Sequence, residues 1–450
     1  MLNIVLIMPK MEPYKDFHYF PLGILAISAA ISTLDSINYE IFDERVDDDL
    51  RLNALLQNAD VVGVSMFTGY QTKSGFDLLT KIKNFNSKII TIVGGPHVTA
   101  LPHETIKSEL VDYAIAGYGE NSFRELIADL LNHGKVTRLI PGVYSKERVM
   151  GASDNLQITY TETPKNYRDI TWNAIPYHKI DVSKYINPAT QRVIYVTQYG
   201  CPAKCTFCAT PETRKWAEKP IELIKQDLRY LYEATQFKQL VFFDATLFTR
   251  KARVKEIMEF VSEEFPHIEW IADARAMELK NYTVEDLREI NKSNLKLHHL
   301  TVGLESGSKR IVEEVYKKGT GHLESYLDAA EKLYQADVEL TSGCIFGAPT
   351  ETAENLYETL EYVKKIRQKH PRFKLSTTFF RPLPGTDLFE YVKQFGITFP
   401  NTLEGWAKLE GVTHYEYNKW VSVPWMDKNE EKKYLVAYNE FINVHGDILV

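Results

Sequence analysis

Cysteine is scarce in this 450-residue chain, which has four: Cys201, Cys205, Cys208 and Cys344. Three fall within eight consecutive positions and the fourth lies far downstream. A secreted disulfide framework would spread its cysteines more evenly. Clustering points instead to a reducing compartment and a bound metal. Long apolar runs are also missing: no stretch reaches the roughly 18 uninterrupted apolar residues of a membrane span. The opening run from Met1 to Lys10 has no basic region before it and no small-residue cleavage site after it. It reads as a first buried strand rather than a secretion signal, and the expected location is the cytoplasm. Positive charge is not in excess. The formal net charge of −7 gives no broad basic footprint for nucleic acid. No internal repeat and no low-complexity tract occurs.

What is present is a long, ordinary globular composition. Hydrophobic residues make up 44%, enough for sizeable cores, and the length predicts two or three domains. Residues 1–140 alternate short apolar strands (Ile4–Met8, Tyr39–Asp43, Asp60–Ser65, Lys88–Val93, Asp112–Ala116) with helical stretches such as Leu22–Leu34 and Ser74–Lys83. This predicts a Rossmann-like, doubly wound parallel sheet, whose ligands bind beyond the carboxyl ends of the strands. Residues 141–190 are less regular and read as a linker. From 191 to 385 six further strands alternate with helices: Arg192–Thr197, Gln239–Phe243, Ile268–Ala272, His299–Gly303, Glu339–Phe346 and Lys374–Phe380. Leu356, Leu360, Val363 and Ile366 hold one helical face, and Thr283 with Asp286 resembles a capping box. Six strand–helix units predict a partial TIM-type barrel with its chemistry at the carboxyl ends. Residues 386–450 are mixed. Their Trp406, Tyr415, Tyr417, Trp420 and Trp425 either line a substrate pocket or pack a small terminal layer.

The strongest pattern is Cys201-Pro-Ala-Lys-Cys205-Thr-Phe-Cys208, spaced C-x3-C-x2-C directly after the first barrel strand. Three thiolates on one loop can hold three irons of a [4Fe–4S] cube and leave the fourth open. Structural zinc wants four ligands. The single leftover cysteine lies in an apolar strand and no histidine pair follows, so the residues favour the cluster. With Phe207 before the last cysteine, the motif resembles the radical S-adenosylmethionine (SAM) superfamily. The resemblance implies that the amino and carboxylate groups of SAM chelate the open iron, and that reduction cleaves SAM to a 5′-deoxyadenosyl radical.

Other stretches in the same order carry the resemblance over roughly residues 1–385. Asp244 stands where the superfamily contacts the methionine amino group, although the Gly-Gly-Glu-like turn is absent here. A helix N-cap is the alternative reading of this residue. Arg275 is placed to pair with the cofactor carboxylate, or is a surface residue. Gly303-Leu304-Glu305-Ser306-Gly307 resembles a signature of the cobalamin-domain branch, which assigns Glu305, and more weakly Ser306, to the cofactor's ribose or ammonium. In Gly343-Cys344-Ile345-Phe346-Gly347-Ala348-Pro349, Ile345 would pack near adenine, Gly347 would admit it, and Cys344 is a structural position. Arg381-Pro-Leu-Pro-Gly385-Thr386 resembles the end of the same barrel. In the N-terminal region Gly63, Ser65, Gly94, Gly95, Pro96, His97, Gly117, Gly119 and Glu120 stand in the order of that branch's cobalamin-binding domain. The Asp-x-His-x-x-Gly motif that supplies a histidine to cobalt is absent.

The resemblance therefore implies a [4Fe–4S] cluster, SAM and cobalamin, a small-molecule or peptide substrate, and an electron donor of the reductase or flavodoxin type. Methyl transfer to carbon leads. Radical rearrangement, cyclisation or oxidation with cobalamin absent or non-methylating is the alternative. Methylthiolation fits less well, since no cysteine precedes Cys201. A non-catalytic sensor has no need of motifs at several strand ends. Replacing Cys201, Cys205 or Cys208 by Ser is expected to abolish cluster assembly, read as iron per chain after anaerobic reconstitution. Cys344→Ser should leave the count unchanged, and equal loss there would overturn its structural assignment.

Overall fold

A computed structural model describes residues 1–11, 19–148, 156–161, 170–210, 216–292, 294–409 and 425–445. Tyr415, Tyr417 and Trp420 lie outside the described residues. The chain forms two compact units. One is Met1–Ile186 with Leu383–Gly385 and Thr398–His414; the other is Asn187–Pro382 with Thr386–Ile397 and Tyr415–Val450.

The first unit is built on a seven-stranded sheet. Its strands are β1 (Leu2–Met8), β2 (Ile37–Asp43), β3 (Val61–Ser65), β4 (Ile90–Gly94), β5 (Tyr113–Ile115), β6 (Val143–Arg148) and β7 (Leu156–Tyr160), in the order β2-β1-β3-β4-β5-β6-β7. The first five run parallel. The two-sided burial that a parallel sheet needs is visible in β1 and β3, whose central residues Ile4–Ile7 and Val61–Val64 are all buried. Val62, Val93, Leu79 and Val98 share one core with Leu403, which comes from far downstream.

β6 and β7 correct the reading of residues 141–190 as an irregular linker. They form an antiparallel hairpin on the sheet edge, closed by Tyr144 stacking on Tyr160 at 4.8 Å between ring centroids. In β6, which is paired on both sides, only Val143 and Tyr144 are apolar, so Ser145-Lys146-Glu147-Arg148 carries no alternation. Period-two patterning was therefore silent there.

The second unit holds a six-stranded, all-parallel sheet. Its strands are β8 (Arg192–Tyr195), β11 (Gln239–Phe242), β12 (Ile268–Ala274), β13 (Leu295–Val302), β14 (Glu339–Phe346) and β15 (Lys374–Phe379), in the order β15-β14-β13-β12-β11-β8. The numbers between belong to a short antiparallel pair after β8, β9 (Gln198–Gly200) and β10 (Trp216–Glu218). Thus the partial six-stranded barrel and the Rossmann-like sheet are both present. β13 begins four residues before the expected His299, because Lys296 and His298 interrupt its apolar pattern and a bulge shifts the β12–β13 register. Thr283 and Asp286 form the expected capping box. Leu356, Leu360, Val363 and Ile366 are all buried on the helix Ala353–Lys369. Among the described residues no helix is long and apolar enough to cross a membrane.

Gly95 tests how tightly the carboxyl edge of the first sheet is specified. Its φ is +97° and its ψ −178°, a region open essentially to glycine. A Cβ there would stand 2.7 Å from the Met66 carbonyl oxygen. Gly95→Ala should destabilise the first unit by about 2 kcal/mol, read as a lower unfolding midpoint for that unit. An unchanged midpoint would mean that the turn can relax.

Candidate functional site

The three clustered cysteines leave β9 at Gly200, which takes φ +76°. Their loop has little secondary structure, so it is held from outside. Asp244, just after β11, accepts from the backbone N–H of Thr197 (2.8 Å) and Gln198 (2.7 Å), immediately upstream. Arg253 donates to the carbonyls of Thr197 and Lys219 at 3.1 and 2.7 Å. Within the loop Thr206 is the anchor. Its N–H and hydroxyl donate to the carbonyls of Tyr316 (3.1 Å) and Val315 (2.5 Å), and its carbonyl accepts from the Leu388 N–H (3.0 Å).

Cys201, Cys205 and Cys208 all line one cavity of about 440 Å³ at the carboxyl end of the barrel. None is in a disulfide. Cys344 is fully buried within β14 and is not part of the lining. Among the described residues no three His, Cys, Asp or Glu converge closely enough for a single metal ion. A cubane instead takes one thiolate at each of three corners, so thiols spread around a cavity fit it. Burial pushes the Cys201 and Cys205 thiols up, and nearby cations oppose it: Arg275 at Cys201, Lys318 and then Arg275 at Cys205. Metal binding must displace those protons, and the two cations favour the thiolate.

Glu305, Arg275 and Phe207 line the same cavity. Glu305 sits at φ +64°, held there by two backbone bonds to β14: its N–H to the Gly343 carbonyl (2.9 Å) and its carbonyl from the Ile345 N–H (2.8 Å). Its carboxylate pairs with Lys318 at 2.6 Å. Lys318 also donates to the Gly303 carbonyl (2.8 Å), and Arg275 donates to the Lys318 carbonyl (3.2 Å). A Cβ on Gly303 would lie 2.9 Å from the Lys318 amine, so glycine there leaves room for the pair. Phe207 meets Tyr316 edge-on at 4.9 Å.

The sequence reading missed Lys318, Asp273 and His299. Asp273 lines the cavity, and burial pushes it up to about 6. His299 lines it too, pushed down to about 4 chiefly by burial. A carboxylate at the carboxyl end of a mostly apolar strand was the available signal for Asp273; Lys318, in a Lys-Lys-Gly turn, carried none.

Three expected cofactor residues, Asp244, Ser306 and Gly347, have their polar groups engaged within the fold. Asp244 is buried with its oxygens engaged by Thr197 and Gln198. It is neither a cavity group nor a helix cap, but an anchor for the chain entering the cysteine loop. Ser306 is fully buried, bonding Thr359 (3.0 Å) and the Ser308 N–H (3.1 Å). Ile345 is half-buried on the same strand face as the cavity-lining Thr341 and Gly343, and its carbonyl accepts from the Tyr316 hydroxyl at 2.8 Å. Gly347 has its N–H taken by Glu351 (2.6 Å) and Tyr434 (2.7 Å) and its carbonyl by Trp425 (3.2 Å). It locks a turn to the C-terminal helix Lys428–His445.

In the first unit, Ser65, Gly94, Gly95 and Pro96 gather at the ends of the neighbouring strands β3 and β4, with Ser65 opposite Gly94. Met66 donates to the Gly94 carbonyl (2.8 Å) and His97 to the Met66 carbonyl (3.0 Å), so the chain folds back tightly over Gly95. Gly117, at φ +87° after β5, donates to the Thr99 hydroxyl at 3.0 Å. Gly119 caps the helix Glu120–His133, which places Glu120 in its first turn. Gly63 is different: a Cβ would press on Leu6 at 2.9 Å, so this glycine serves sheet packing. His97 follows the Gly95 turn on the short helix Pro96–Ala100. It is fully buried, its Nδ1 bonds the Thr68 hydroxyl at 3.0 Å, and burial pushes it down to about 4. Its Nε2 has no hydrogen-bond partner among the described residues.

Two family models match, a B12 binding domain over residues 15–127 and the radical SAM superfamily over residues 195–363. An uncharacterized methyltransferase of Pyrococcus horikoshii is 27% identical over 337 residues, 74% of this chain and 69% of that one. The bacteriochlorophyllide d C-8(2)-methyltransferase of Chlorobaculum tepidum is 25% identical over 414 residues, 88% of this chain and 81% of that one. Among solved structures, the radical S-adenosylmethionine methyltransferase TsrM of Kitasatospora setae superposes with a TM-score of 0.67 at 14% identity, covering 88% of this chain and 77% of that one.

Asp244 yields a pH prediction. Burial pushes its carboxyl up to about 7 from an ordinary 3.8, against the hydrogen bonds from Thr197 and Gln198. A raised folded value means that the folded state holds the proton more tightly. The group's contribution to stability is complete below about pH 4 and is lost as pH rises through about 7. The unfolding midpoint of Asp244→Asn should therefore fall less than that of the parent over this window. Parallel pH profiles would refute the assignment.

Proposed function

We propose, for a chain that belongs to the radical SAM enzymes carrying a B12 binding domain, that it transfers a methyl group from cobalamin to carbon of a small molecule or peptide. The observation that carries this reading is that the three thiols, the cations Arg275 and Lys318 and the carboxylates of Glu305 and Asp273 line one cavity. The named methyltransferases among its relatives support the reaction type, and TsrM, solved with cobalamin and a [4Fe–4S] cluster bound, supports the cofactor set.

Cys201, Cys205 and Cys208 would hold the cluster, leaving one iron for SAM. When bound, the cluster, SAM and cobalamin together supply the electron, the radical and the methyl group. The remaining work belongs to the chain. Arg275 and Lys318 offer positive charge to a carboxylate. Glu305, freed from or shared with Lys318, accepts from hydroxyl or ammonium groups. Phe207 supplies an apolar wall, and Asp273 can hold a proton near neutral pH. In the other unit, the close turn at Gly95 and the buried imidazole of His97 favour cobalamin at the carboxyl edge of the sheet. An external one-electron donor of the reductase or flavodoxin type completes the scheme.

Anaerobic reconstitution with iron, sulfide and hydroxocobalamin tests it by metal analysis. About four irons with one cobalt per chain are expected, followed by transfer of label from methyl-labelled SAM to product. Four irons without cobalt would overturn methyl transfer and favour rearrangement, cyclisation or oxidation.

A further inference from the structure

Residues 398–409 follow the barrel in sequence yet belong to the first unit. The short helix Leu403–Lys408 seats Leu403, fully buried, in the same core as Val62, Met66 and Val98. Glu404 accepts from the Ser108 hydroxyl at 2.7 Å. Trp406 is 2% exposed, stacks on Phe399 with centroids 6.1 Å apart, and meets the His97 ring edge-on at 5.8 Å.

His97 is the group that this packing acts upon. It lies two residues beyond Gly95, on the short helix Pro96–Ala100 at the carboxyl end of β4. Thr68 holds one ring nitrogen and Trp406 packs against the ring, while Nε2 is buried without a partner among the described residues. A buried polar atom left unpaired costs about 1–3 kcal/mol. Such an atom beside a glycine turn at a ligand-binding strand edge is the mark of a group kept for a ligand.

We infer that residues 398–409 are an integral part of the cobalamin-binding unit, and that Trp406 is a positioning residue that fixes the His97 imidazole for a polar contact with cobalamin. The inference rests on the proposed cobalamin dependence and adds a contribution from beyond the barrel. Of the two readings for Trp406, pocket lining and terminal packing, it favours packing, within the first unit.

The test is titration of the full reconstituted chain with hydroxocobalamin, followed by absorbance, with iron per chain as an internal control. His97→Ala and Trp406→Ala should each weaken cobalamin binding about tenfold, the worth of one lost buried hydrogen bond. Iron content should stay at the parent value. Trp406→Phe keeps most of the packing and should bind nearly as the parent does. The double variant should be no weaker than His97→Ala alone, because both changes remove one interaction. Unchanged affinity in Trp406→Ala, or additive losses in the double variant, would overturn the inference while leaving cobalamin dependence standing. Failure of the parent itself to bind would instead sink the function.

Discussion

A loop with almost no hydrogen bonds of its own must present three thiols to one enclosed volume. The second unit depends on how that is achieved. Asp244 grips the chain just ahead of Cys201 through two backbone N–H groups, and Thr206 is gripped from three directions between Cys205 and Cys208. Rigidity is borrowed from the ends of β11, the turn before Lys318 and the segment at Leu388. A carboxylate buried for this purpose carries a desolvation cost, which its backbone donors and Arg253 partly offset. The consequence is a loop whose backbone is pinned just ahead of Cys201 and again at Thr206.

The charges around the cavity follow the same logic. Arg275 and Lys318 stand close enough to ease thiol ionisation at Cys205, and Lys318 is itself neutralised by Glu305 at 2.6 Å. Breaking such a buried pair without replacement would strand a charge. A zwitterionic ligand with its own ammonium and carboxylate can replace both partners at once. The left-handed backbone at Glu305 is the strained position that holds the carboxylate in place, and the backbone bridge to β14 maintains it.

The first unit solves a different problem, that of a large cofactor lying along a strand edge. Gly95 is required there by the chain itself, since a Cβ would meet the Met66 backbone, and the His97 ring just beyond it is buried with Nε2 unpaired among the described residues. Its hydrophobic core is completed by Leu403 from beyond the barrel, so the fold of this unit is not local in sequence. The same stretch brings Trp406 to His97.

The sequence by itself determined the two alternating sheets and the cysteine loop. Strand periodicity, capping at Thr283 and Asp286, and C-x3-C-x2-C spacing are local properties that short-range physical chemistry writes directly into the order of residues. It also singled out Phe207, Arg275 and Glu305, because motifs at strand ends mark where side chains can reach a ligand. Only the tertiary structure decided which polar residues face the cavity. Asp244, Ser306 and Gly347 carry the same chemistry as cavity residues, yet their polar atoms are consumed by Thr197, Thr359 and Tyr434 from other elements. Lys318 becomes part of the site only because Glu305 and Gly303 are folded against it. The edge hairpin Val143–Tyr160 and the return of Trp406 to the first unit were equally out of reach. Partners separated by tens to hundreds of residues leave no periodic trace, and burial, which decides whether a polar group is free or spent, is a property of the whole fold.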